Sequence, residues 1–151
     1  MNHSASMYHN DYQWWLNEQI ALLQTKSFHD LDIEHLIEEM EDMSISNKRA
    51  LSSHLIILIA HLLKWQFQPT HRSSSWRGSI VEQRVQLENL LETSPSLKNL
   101  IPETVDHIYP KALKIAVKET GIKHDKFPNN SPYTIEQILD DDYWPFNTES
   151  S

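Results

Sequence analysis

Two glycines, Gly78 and Gly121, are all this 151-residue chain has for tight turns, against seven prolines. Hairpins draw on glycine for residues at positive φ, so the shortage argues against a sheet-rich fold. Long helices punctuated by prolines are what remains. The apolar pattern agrees. Tyr12, Trp15, Leu16, Ile20 and Leu23 recur at helical spacing and predict a first helix over 11–26. After a turn at 27–30 comes a second helix from about Asp32, with Asp30 or Asp32 as its cap. Ile33, Leu36, Ile37, Met40 and Met43 form its apolar stripe.

Serine and asparagine side chains compete for backbone partners, so a break is expected at 44–47. A third helix then covers 48–67 and ends before Pro69. A fourth follows the loop at 73–75 and reaches about Glu92. Its start is the Ser79/Glu82 capping box or one turn earlier. Ser94-Pro95 opens a short helix, and Pro102 opens another that stops at Gly121. Pro110 should kink that one. After the loop FPNNSP, a capping box of Thr134 and Gln137 starts a last helix over 134–140. The fold class is therefore all-α: a single compact, mostly antiparallel helical bundle of five to seven helices. It occupies 11–146, between an N-terminal tail at 1–10 and a C-terminal tail at 147–151.

Charge and composition narrow the function classes. The formal net charge of −8 opposes phosphate neutralisation, so nucleic acid is not an expected partner. Seven acids and no Lys or Arg lie between Ser27 and Asn47, whereas Lys64, Arg72, Arg77 and Arg84 face Glu82 alone further on. With no cysteine, disulfides and thiolate chemistry are absent. The longest apolar run, 55–60, is far below the roughly 18 residues a bilayer needs, so no membrane span is expected. The opening residues lack the pattern of a secretory signal, and a cytoplasmic location is the expectation.

Three constellations could carry chemistry. Glu34, Glu38 and Glu41 share one flank of the second helix, and His54, Leu58, His61 and Trp65 one flank of the third. Glu38, Glu41 and His61 are thus candidates for a carboxylate–imidazole metal site inside a bundle. The Glu-x-x-His spacing of di-metal bundles is missing, so no metal and no cofactor is favoured; ion pairing of these acids with Arg49, Arg72 or Arg84 is the expected arrangement. Arg49 and His54 resemble the Arg-x4–6-His motif of the HEPN ribonucleases, which are all-α dimers. That resemblance would make Arg49 the charge stabiliser and His54 the acid or base of a metal-independent ribonuclease or toxin. Positions five apart project about 140° from each other on a helix, which weakens the pairing. Finally Arg72, Ser75, Trp76, Arg77, Gln83 and Arg84 could hold an anion at a helix start, or serve as structural partners of the acid-rich helix.

Several blocks, HDLDIEHLIEEMEDM, KRALSSHLIILIAHLLKWQFQP, RSSSW, EQR, SPSL and PYTIEQILDDDYWP, resemble in order the bacterial domain-of-unknown-function family 29. These are small all-helical proteins abundant in cyanobacteria. The resemblance runs from about Tyr8 to Pro145. It carries Leu36, Glu38, Glu39, Glu41 and Met43, then Arg49, His61, Leu62, Leu63, Lys64, Trp65 and Pro69, then Arg72, Ser75, Trp76, Gln83 and Arg84. Ser44 and Pro110 depart from it. It implies the fold and no reaction. With no complete catalytic set and with segregated charge, the expected function is a non-enzymatic protein-interaction module, either a homo-oligomer or one part of a pair with another protein.

Overall fold

The computed structural model describes residues 3–147. Among them every regular element is helical: α1 (His3–Asn10), α2 (Tyr12–Gln24), α3 (Ile33–Phe67), α4 (Ser74–Thr93), α5 (Ile101–Thr120) and α6 (Ile135–Leu139), with short 3-10 turns between. The all-α expectation is met. The chain separates into two compact units, Met1–Ser46 and Asn47–Ser151. A tail was expected at 1–10; α1 occupies His3–Asn10 of it, and 1–2 lie outside the described residues. Of the C-terminal tail, 148–151 lie outside the described residues.

In the first unit, Asp11 caps α2 by accepting from the Trp14 N–H at 3.1 Å. The helix ends with Lys26 at φ 57, the left-handed position usually given to glycine. There the Ser27 N–H reaches the Leu22 carbonyl at 2.8 Å and the Lys26 N–H that of Leu23 at 3.1 Å, which satisfies the last carbonyls. Asp32 heads α3, as anticipated.

The expected break at 44–47 is corrected. Helix α3 runs unbroken for 35 residues. Ser44, Ser46 and Asn47 are all exposed, so their side chains can be solvated without displacing backbone bonds, and their propensity cost is only about 0.5 kcal/mol each. What changes at this point is packing, since the two units divide between Ser46 and Asn47. By length and composition α3 would suffice to cross a membrane, a property that buried core helices share.

The second unit holds the large core. Leu51, Leu55, Leu58 and Leu62 of α3 are at most 1 % exposed and pack with Ile80 and Leu87 of α4 and Ile101, Ile108 and Ala112 of α5. Ser73 caps α4 by accepting from the Trp76 N–H at 3.2 Å. The helix therefore starts well ahead of the Ser79/Glu82 capping box, by nearly two turns and not one, because Ser73 takes the cap. Pro110 lies within α5, where its missing N–H leaves the Asp106 carbonyl without its usual donor. Gly121 ends α5 at φ 73, and Thr134 with Gln137 forms the capping box of α6. Both boundaries were legible in the sequence.

Candidate functional site

In the first unit a buried carboxylate organises the helix pair. Trp15 is fully buried, and its indole N–H donates to Asp32 Oδ2 at 2.9 Å. The same oxygen lies 2.6 Å from His35 Nδ1, and the Asp32 N–H donates to the Gln19 side-chain oxygen at 2.8 Å. Burial pushes the Asp32 carboxyl up, but the hydrogen bonds from His35 and Trp15 prevail and hold it below the usual range. A second anchor lies one helical stretch on. The Tyr12 hydroxyl donates to Glu39 Oε2 at 2.6 Å and the Tyr8 hydroxyl to Glu39 Oε1. These donors lower the Glu39 carboxyl, and Glu39 in turn raises both phenols. Tyr8 stacks on the His35 ring at 4.0 Å, which ties α1 into the same knot.

These polar anchors leave an apolar face bare. Ile33, Ile37 and Met40, spaced i, i+4, i+7 on α3, are 53 %, 50 % and 59 % exposed. Ile20 and Leu23 of α2 and Phe28 of the connecting turn are exposed as well. A run of half-bare large apolar side chains on a helix pair is what an interaction surface looks like, whereas isolated ones are ordinary. Charge accompanies it. Residues 1–46 carry Asp11, Glu18, Asp30, Asp32, Glu34, Glu38, Glu39, Glu41 and Asp42 against Lys26 alone, which is −8; residues 47–151 carry twelve acids and twelve bases. All the net charge of the chain sits on the unit with the bare face.

The second unit has a different cluster, of cations on indoles. The Arg72 guanidinium lies 4.6 Å from the Trp65 ring and Arg77 5.3 Å from the same ring. Arg77 and Arg84 approach Trp144 at 5.4 and 5.8 Å, and Lys64 approaches Trp76 at 4.8 Å. Arg84 is buried, and it donates to the backbone carbonyls of Ile138 at 3.0 Å and Gln137 at 3.1 Å, which fastens α6 to α4. Arg72 donates to the Trp65 carbonyl at 2.9 Å. Arg84 Nη1 and Arg72 Nη2 are buried without an acceptor, and the indole faces under these guanidiniums supply the electrostatic compensation. Burial lowers the pKa of both arginines.

The family model described as the domain of unknown function DUF29 matches residues 7–144. The chain belongs to the DUF29 family. Among curated proteins and among solved structures nothing matches it significantly.

DUF29 membership covers both units, and the structure sorts the candidate residues between them. Glu38 and Glu41 are exposed on the first unit, while His61 belongs to the second. Among the described residues no three His, Asp or Glu side chains gather to hold a metal. The His61 ring donates from Nδ1 to the Ile57 carbonyl of its own helix at 2.8 Å, and burial pushes its pKa down. Arg49 is exposed, whereas His54 Nδ1 sits 2.7 Å from Gln83 Oε1, so this histidine is engaged by glutamine.

The expected pairing of Arg72 and Arg84 with the acid-rich helix gives way to indoles and carbonyls. Planar guanidiniums stack and fork readily onto neutral partners, and for Arg84 the nearby Asp141 and Asp140 carboxylates add favourable charge. Ser75 is exposed within the first turn of α4, and the cap is Ser73. Sequence reasoning missed Asp32 and Gln19 as a buried polar pair. Their signal was only the helical register that puts Trp15 and Gln19 one turn apart.

Proposed function

We propose that this DUF29 protein is a non-enzymatic interaction module whose docking surface is the bare face of the first unit. The observation that carries the reading is the exposure of Ile33, Ile37 and Met40 beside the internal anchors Asp32 and Glu39. Covering the exposed half of each side chain contributes about 1 kcal/mol, so the three together supply roughly a hundredfold in affinity. The second unit serves as the stable base, with Lys64, Arg72, Arg77 and Arg84 engaged by indoles, carbonyls and Glu119. A soluble, cytoplasmic setting suits such a module.

Gel filtration of wild type and Met40→Asp, alone and in cell extract, tests this. The wild type should migrate as a larger species than a lone chain in at least one condition, and the variant as the lone chain in both. Identical elution of the two proteins in both conditions sinks the reading.

A further inference from the structure

The apolar face invites either a second copy or a different protein, and charge separates the two. Glu34 and Glu41 follow Ile33 and Met40 by one position, so they border the stripe at about 80–100° on the helix wheel. Both are exposed, as is Glu38 one turn between them. A second copy brought face to face would add another unit of charge −8 and set these borders against their like, which costs affinity and opposes encounter. A helix with its own i, i+4, i+7 apolar stripe, bordered by Lys or Arg, meets both requirements at once. It buries Ile33, Ile37 and Met40 and pairs with the border carboxylates.

We infer that the occupant of this face is a basic amphipathic helix of another protein. This rests on the interaction-module reading and names its partner class. The apolar stripe supplies affinity, and the carboxylate border selects charge and accelerates association. Binding therefore weakens with salt, because the border pairs are exposed and screened.

Two synthetic amphipathic helices of about 21 residues, long enough to be helical when bound, serve as probes. Both carry leucine at the stripe positions; one has lysine borders and the other glutamate borders. Each is titrated into the full-length protein, with binding followed calorimetrically and self-association by sedimentation. The lysine helix should bind about tenfold or more tightly than the glutamate helix, and the gap should shrink between about 50 and 500 mM salt. Ile37→Asp should weaken the lysine helix by about tenfold with an unchanged unfolding midpoint, since the residue is half exposed. Glu34→Gln with Glu41→Gln should weaken the lysine helix and strengthen the glutamate helix.

Equal binding of the two helices overturns the inference. So does a dimer that Met40→Asp converts to monomer, in which case the face is occupied by a second copy and the interaction-module reading stands. A monomer that binds neither helix overturns the inference, and the gel-filtration comparison then decides whether the broader reading survives.

Discussion

One helix, α3, carries the same apolar spacing twice with opposite fates. Leu51, Leu55 and Leu58 repeat the i, i+4, i+7 pattern of Ile33, Ile37 and Met40, yet the first set is at most 1 % exposed and the second at least 50 %. The pattern alone does not distinguish them. Number of neighbours does: the second unit supplies α4, α5 and α6 to cover its stripe, whereas the first has α1 and α2. The polar anchors differ in parallel. In the first unit carboxylates accept from indole, imidazole and phenols, and in the second guanidiniums donate to carbonyls and rest on indoles. A fully wrapped stripe stabilises the fold; a half-wrapped one remains available for binding.

The largest expected effect tests that contrast directly. Leu58→Ala removes a side chain with no exposed surface and should cost about 2–5 kcal/mol in a denaturant titration. Met40→Ala, on the matching position of the other stripe, should cost no more than about 0.5 kcal/mol. Equal costs would mean that the first stripe is covered after all.

Next in size is Arg84→Ala, which strands the carbonyls of Gln137 and Ile138 and should cost about 2–3 kcal/mol. Hydrogen exchange should rise over α6 and stay unchanged over α2. Arg84→Lys should recover only part of the loss, because an ammonium does not reproduce the fork. Full recovery by lysine would refute the forked role.

These contrasts mark how far the sequence could be read. Helical periodicity, the Gly121 terminator and the Thr134/Gln137 capping box are local signals, and the structure realises each of them. The continuity of α3 through Ser44–Ser46–Asn47 is not local. It depends on those side chains staying in water, which packing decides. The end of α2 was hidden for a related reason: Lys26 occupies a left-handed position without the glycine that would announce it. At the site, composition showed that the arginines and tryptophans fall close together in sequence, but acid-rich and base-rich segments suggested ion pairs. Trp144 lies 60 to 80 positions away and supplies the rings that take the place of those acids. Long-range packing of that kind leaves no mark in a single segment.

The smallest effect concerns how the two units respond to acid. The Asp32 and Glu39 carboxyls are both held below their ordinary values in the folded first unit. Their contribution is thus complete above the unfolded carboxylate range near pH 4, and it is lost as pH falls through the depressed folded values. The second unit begins to respond higher. His61 is also lowered on folding, so the unfolded chain takes up its proton first, and stability declines as pH falls below about 6.5. The Trp15 indole N–H resonance reports the first unit, because it is bonded to Asp32, and it should hold steady until pH falls below about 4. Asp32→Asn keeps the shape and an acceptor but loses the charge, and should cost about 1–2 kcal/mol at neutral pH. That variant should also flatten the acid response of the Trp15 resonance and leave the His61-linked decline in place. If Asp32→Asn flattened both responses, the units would not titrate independently, and the contrast between them would fail.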